Sequence, residues 1–144
     1  MDKMIFVNLP VTDLAKSIAF YEALGATADP VFREEGTTQM MHVSPTICVM
    51  LLTHARFSGF TDRKIPNAHE TAQVLLCLSE ESREVVDAQT EKAAASGGVA
   101  DPNPKQDHGF MYGRSYADPD GHIWEVVWMD MDAAMSGGVE AATA

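Results

Sequence analysis

Apolar positions along the chain fall into short clusters of two periods, and their order predicts the elements. Residues 4–9 (MIFVNL) have the length and residue types of a buried strand. Asp13 then offers a helix N-cap ahead of Leu14, Ile18 and Tyr21, which recur at helical spacing, and Gly25 closes that helix. Three short runs follow at about 28–33, 38–43 and 47–53, separated by EEGT and SPT, whose Gly, Ser and Pro are turn formers. The unit reads βαβββ.

The same order then returns. A strand is predicted at 72–78, a helix at about 82–96 capped by Ser79 or Ser82 and closed by Gly97-Gly98, and strands at 99–101, 110–116 and 123–129. A short echo supports duplication: GATADP at 25–30 reappears as GGVADP at 97–102, with Gly25, Ala28, Asp29 and Pro30 matched at constant offset. The expected architecture is therefore α+β, with module one at about 3–53, module two at about 72–130, and the helices on the outer face. Between them, residues 54–71 form a connection too long to be a simple turn. Its Phe57 and Phe60 imply that it folds onto something. The Ala- and Gly-rich stretch 131–144 reads as a flexible tail.

Composition narrows the function class. The chain has 144 residues, 46% hydrophobic and 22% charged, which suits one domain with a sizeable core. Its formal net charge of −11, from 21 acids against 10 Lys and Arg, repels polyphosphate and anionic membrane surfaces, so neither nucleic acid nor membrane is an expected partner. No run reaches the ~20 apolar residues of a membrane span, and MDKMIFVNLP does not read as a secretory leader. Cys48 and Cys77 form no C-x-x-C pattern, and a cytoplasmic setting with reduced thiols is expected.

The duplicated unit, FVNLPVTDLAKSIAFYEALG near the start and DPDGHIWEV near the end together resemble the vicinal oxygen chelate superfamily: glyoxalases, extradiol dioxygenases, and fosfomycin and bleomycin resistance proteins. VMLLTH (49–54) and QDHGFMYGRS (106–115) resemble a branch labelled predicted lactoylglutathione lyase. The resemblance implies two half-sheets around a cavity that takes a small molecule, and a homodimer. It also implies a four-point metal site, one ligand from the first and last strand of each module, falling here on Phe6, Leu51, Gln73 and Glu125. Only Glu125 is a usual ligand type. A phenyl ring and an isobutyl group have no lone pair to donate, and a neutral amide oxygen is a poor substitute for imidazole. The sequence thus requires no cofactor, and a divalent metal (Zn, Ni, Fe or Mn) is admitted only through a rebuilt site.

Strand alternation assigns faces. With Glu125 inward, Ile123 and Val127 lie beside it and Trp124, Val126 and Trp128 face the helices. The matching inward sets are Phe6 and Asn8; Val49, Leu51 and Thr53; and Gln73, Leu75 and Cys77, while Cys48 points outward. The position ten residues before the glutamate, where the resemblance implies a substrate-contacting tyrosine, holds Ser115. Arg114 has the opposite parity and reads as a structural ion-pair partner. Met111 and His108, in a glycine-permitted bend, complete the candidate ligand-binding set. Glu125 has three readings: a structural carboxylate paired with Gln73 or a neighbouring strand, a ligand-binding or proton-transferring group, and a metal ligand. His42, His54, His69, His108 and His122 read mainly as solvated or structural, and the Met-rich strand segments as core filler.

Overall fold

The computed structural model describes residues 1–135, and these divide into two compact units. One comprises Met1–Thr71 with the turn Pro119–His122, and the other runs from Ala72 to Asp118 and resumes at Ile123. The first boundary between the units lies between Thr71 and Ala72.

The first unit contains β1 (Ile5–Val11), α1 (Leu14–Ala23), β2 (Thr27–Glu34), β3 (Thr38–His42), β4 (Ile47–Thr53) and a short α2 (His54–Phe57). Its four-stranded sheet has the order β1-β4-β3-β2, parallel between β1 and β4 and antiparallel elsewhere. The second unit contains β5 (Leu76–Ser79), α3 (Arg83–Ala95), β6 (Val99–Ala100), β7 (Gln106–Asp107), β8 (Met111–Ala117), β9 (Ile123–Met129) and α4 (Met131–Ala133). Its order is β5-β9-β8-β6, again parallel only between the first and last strands, and β7 adds a two-residue pairing to β8. The α+β expectation and the repeated order therefore hold. Strand β7 was not expected, and β5 starts at Leu76 instead of 72.

Both long helices are bounded by the predicted chemistry. Asp13 Oδ1 accepts from Lys16 N at 3.1 Å, and Ser82 Oγ accepts from Val85 N at 3.1 Å, each satisfying an orphan donor of the first turn. At the other end Gly25, at φ +100°, lets Ala26 N donate to Tyr21 O at 3.0 Å; Gly97, at φ +103°, lets Gly98 N donate to Ala93 O at 2.9 Å. These are matching left-handed caps, and they explain why the GATADP/GGVADP echo begins with glycine.

Each unit packs one sheet face against its helix. Leu9, Val11, Met41, Val49 and Leu51 are buried with Phe20 and Tyr21 of α1, while Tyr116, Trp124 and Val126 are buried with Val86 and Ala93 of α3. Arg114 also lies on the α3 face, 6% exposed, and pairs with Asp87, Glu91 and Asp101 at 3.0, 2.8 and 2.7 Å. The ion-pair role expected for it is thus met by three carboxylates. Of the segment expected to be a flexible tail, Met131–Ala133 forms a short helix capped by Asp130, and residues 136–144 lie outside the described residues. No helix of the described residues is long and apolar enough to cross a membrane.

Candidate functional site

Register decides which side chains share a face. In the first unit Phe6 pairs with Cys48 and Asn8 with Met50, whereas Leu9 pairs with Leu51. Phe6, Asn8, Cys48, Met50 and Leu52 therefore share one face, and Val49, Leu51 and Thr53 belong to the opposite one. This corrects the expected inward set: Leu51, 0% exposed, packs in the α1 core, and Cys48 shares the face of Phe6. Counting four residues from Gln73 to Cys77, the partner of Glu125, and four from Phe6 to Pro10, the partner of Leu52, makes Leu52 the counterpart of Glu125. The ligand position slips by one residue, and an isobutyl group still occupies it.

On this face of the first unit lies a hollow of about 290 Å³, lined among others by Asn8, Phe32, Met50, Leu52, Arg56 and Phe60. Phe32 arrives there through an irregularity in β2, where the register to β3 shifts between Ala28 and Arg33. Asp29 pins that bulge. Its Oδ1 accepts from Val31 N and Phe32 N, each at 2.8 Å, and its Oδ2 lies 2.7 Å from His42 Nε2. The imidazole contact first, and the two backbone donors next, pull the Asp29 carboxyl down to about 2. His42 Nδ1 lies 3.5 Å from Cys48 Sγ, so a thiol, an imidazole and a carboxylate stand in line. Burial, and then the Asp29 charge, push the Cys48 thiol up, which suits a structural sulfur and not a nucleophile.

A larger hollow of about 380 Å³, also in the first unit, is bordered by Thr12, His54, Asn67, His69, Asp120 and His122. Its acid and one imidazole hold the chain in place. Asp120 Oδ1 accepts from Thr12 N at 2.9 Å and Thr12 Oγ1 at 2.8 Å, and His122 Nε2 donates to Pro10 O at 2.8 Å. The DPDGH turn is thereby clamped to the end of β1.

In the second unit Glu125 sits opposite Cys77 on β5 and Ser115 on β8, so the three share a face. Ser115 and Glu125 border a hollow of about 200 Å³ whose lining also includes Asn103, Gln106, Met111 and Val127. The Ser115 hydroxyl is engaged by Asn103, accepting from its N–H at 3.0 Å. No donor among the described residues reaches the Glu125 carboxylate, so the expected structural pairing with Gln73 or a neighbouring strand is absent there. Burial, and then the charge of Glu125, push the Cys77 thiol up. Both thiols are free.

The structure therefore brings Ser115, Met111 and Glu125 together in one hollow and puts Asn8 in another. Thr53 instead caps α2, its Oγ1 accepting from Arg56 N at 3.3 Å. Gln73 is exposed in the irregular segment before β5, and His108 is exposed between β7 and β8, 3.2 Å from Gln106. Phe6 is half exposed. The sequence reading missed Phe32, Arg56 and Asn103. Phe60 was signalled only by the aromatics of the long connection. The donor set does not fit a metal ion of the standard kind. Among the described residues no group of three or more His, Cys, Asp or Glu is arranged to hold one.

Residues 3–126 match the family described as Glyoxalase/Bleomycin resistance protein/Dioxygenase superfamily. No curated protein matches the chain. Among solved structures, a hypothetical protein from S. aureus is similar at TM-score 0.73 and 25% identity, over 89% of this chain and 94% of that one. A glyoxalase/bleomycin resistance protein/dioxygenase family enzyme from Burkholderia phytofirmans aligns at TM-score 0.71 and 17% identity, over 89% and 99%. A lactoylglutathione lyase from Agrobacterium tumefaciens aligns at TM-score 0.64 and 18% identity, over 91% and 96%. The latter two likenesses are of fold.

Proposed function

The chain belongs to the Glyoxalase/Bleomycin resistance protein/Dioxygenase superfamily, and from that premise we propose that it binds a small, partly apolar molecule without the family's standard metal centre. The observation that carries this reading is Glu125, a carboxylate bordering a hollow with no donor from the described residues. A carboxylate left without partners in a partly apolar site is stabilised by whatever donor a ligand brings, and a ligand N–H or O–H there makes a charge-assisted hydrogen bond. Phe6, Leu52 and Gln73 supply no imidazole or carboxylate to accompany Glu125, so the same residue works as a ligand acceptor and not as one corner of a metal cage.

The open carboxylate also favours a second reading, a lactoylglutathione-lyase-like or dioxygenase-like enzyme. There Glu125 would act as a base toward a proton next to a carbonyl, or join a rebuilt site for a divalent metal with Gln73 and a loop histidine. One experiment separates the two. Metal content of the purified protein is measured, followed by turnover of a methylglyoxal–glutathione adduct with and without added Ni²⁺ or Zn²⁺. The binding reading expects no stoichiometric metal and no turnover. Stoichiometric metal together with turnover abolished by Glu125→Ala would sink it.

A cytoplasmic homodimer completes the proposal. The edge strand β1 exposes Ile5 and Phe6 at 55% and 50%, an apolar strip of the kind that a partner copy covers. Light scattering on the eluted protein should give twice the chain mass, and a monomer at all concentrations would count against it.

A further inference from the structure

We infer that Arg83 is a positioning residue for the Glu125 hollow: from the opposite face of the sheet it holds β7 in place, and so sets the wall that Gln106 gives to that hollow. This rests on the small-molecule reading above and adds to it a residue that controls access to the same site.

Register separates the two faces. Gln106 pairs with Gly113, which pairs with Val127, and all three border the hollow with Glu125. Asp107 pairs with Tyr112, which pairs with Trp128, on the face turned to α3, where Tyr112 Oη donates to Asp87 Oδ1 at 2.7 Å. There the Arg83 guanidinium donates from Nη1 to Asp107 Oδ2 at 3.1 Å, and from Nη2 to Asp107 Oδ1 at 2.9 Å and Gly109 O at 2.8 Å. Its Cζ lies 4.9 Å from the Tyr112 ring centre and 5.3 Å from that of Trp128. Two rings thus already restrict the guanidinium that grips the strand.

The strand contributes little hold of its own. Residues 104–109 are exposed, and the backbone ties are a two-residue pairing to β8 and a turn bond from His108 N to Met111 O at 2.8 Å. A pairing that short and that wet opens readily. At its near end the segment is tied to the hollow floor, Asn103 N donating to Ser115 Oγ at 3.0 Å. At its far end Gly109 N donates to Asp107 Oδ1 at 3.0 Å, so the carboxylate that Arg83 grips also closes the bend at Gly109, φ +79°. The Arg83 bond is the first of the causes that pull the Asp107 carboxyl down to about 2, and the pair stays charged through the neutral range. A single exposed bridge contributes little, and these two side chains are 35% and 54% exposed. Here one guanidinium makes three hydrogen bonds, two of them a bidentate grip on one carboxylate, and the balance favours the clamp. Without it, Gln106 lifts from the rim and the hollow opens beside Ser115 and Glu125.

The test places a thiol in the hollow as Ser115→Cys and follows its iodoacetamide labelling in the whole protein by peptide mass spectrometry, with hydrogen exchange of the 105–109 amides measured alongside. Cys77, already exposed, is the internal reference. Arg83→Ala should speed both labelling of the introduced thiol and exchange at 106–109 by about fivefold. Asp107→Asn should do the same, and the two together should add nothing further, because they break one clamp. The two substitutions change charge in opposite senses, so a shared acceleration is not an electrostatic effect on the thiol. Arg83→Lys should recover only part of the wild-type protection, since an ammonium cannot make the fork. Where Ser115→Cys does not fold, the Met111 methyl NMR signal decides in proteins that keep Ser115: it should move in Arg83→Ala and Asp107→Asn and return in part in Arg83→Lys. Faster exchange with an unchanged hollow readout would overturn the positioning role and leave a structural ion pair. Additive effects would overturn the pairing through Asp107, and no change in either readout would overturn the inference itself. None of these outcomes needs a ligand, so the small-molecule reading fails by a different result, stoichiometric metal with turnover.

Discussion

Glu125 and Cys77 are direct partners across β5 and β9, and each reports on the other. The Cys77 thiol is held up by burial first and by the neighbouring carboxylate second. Only the thiolate is alkylated, so removing the negative charge should bring reactivity to lower pH. Glu125→Gln is expected to speed iodoacetamide labelling of Cys77 severalfold at pH 8, with Cys48, buried, remaining slow in both proteins. An unchanged pH profile for Cys77 would mean that the two groups do not face each other. Asp29 gives a second prediction. Its carboxyl is depressed from 3.8 to about 2, chiefly by His42. A group whose pKa is lower in the folded state contributes stability that is present above the unfolded value and lost as pH falls through the folded one. Thermal unfolding should therefore show a decline between about pH 4 and pH 2 that Asp29→Asn flattens, measured against the wild type at each pH. If the variant declines as steeply, the His42 contact contributes nothing.

Elements in this fold are held by a few positions with little freedom. The DPDGH turn stands on Gly121, at φ +92°, where an added Cβ would meet His69 N at 2.6 Å and Ala68 carbonyl carbon at 2.7 Å. Neither neighbour is a side-chain end that can swing aside. Gly121→Ala combines left-handed strain with a backbone clash and should cost about 2–4 kcal/mol in denaturant unfolding. A cost below about 0.5 kcal/mol, the range of neutral surface changes, would show that the 67–69 segment is not pressed onto the turn. Arg114 is the comparable point in the second unit. Hydrogen bonds to Asp101, Glu91 and Asp87 raise its pKa above the ordinary guanidinium value, and the hydrogen bond from Arg114 in turn lowers that of Asp101. Asp87 and Glu91 are half or more exposed, which discounts each bridge toward the small value of surface pairs. Arg114→Ala should still cost about 2–3 kcal/mol, because it leaves Asp101 and the Asp87–Tyr112 contact without their cation. Arg114→Lys should recover only part of this, since an ammonium cannot span three carboxylates.

At the scale of the molecule, much of the architecture was legible because it is written twice. Asp13 and Ser82 before the helices, Gly25 and Gly97 after them, and the strand runs in the same order all follow from local chemistry. The face of Leu51 was not legible. ICVMLLT in β4 is apolar up to its last residue, Thr53, so alternation within it says little about which side is which, and the Leu9–Leu51 register decides. IWEVVWM in β9 contains a glutamate, and that single polar residue fixed its parity correctly. The hollow walled by Phe32 was hidden for a related reason: a bulge changes the count of residues between the two ends of a strand, and the sequence marks it only by Asp29-Pro30.

The net charge of −11 gives the last prediction, and competing magnitudes set its sign. Self-repulsion among excess carboxylates destabilises the compact state, and salt weakens it once the separations exceed a Debye length of about 8 Å near physiological ionic strength. Salt also weakens the ion pairs, including Arg56–Glu34 and Arg83–Asp107, but exposed pairs contribute about 0–1 kcal/mol each at close range, where screening is least effective. Eleven uncompensated charges spread over the surface are the longer-ranged interaction, so repulsion is the term that salt removes most. Raising NaCl from about 20 to about 300 mM, which shortens the Debye length about fourfold, should raise Tm at pH 7.5 by about 2–4 °C, the shift that about 1 kcal/mol produces in a chain of this size. Lysine substitutions at exposed acids such as Glu22 or Asp62 should raise Tm at low salt and shrink this dependence. A Tm that falls as salt rises would mean that the local pairs outweigh the global repulsion.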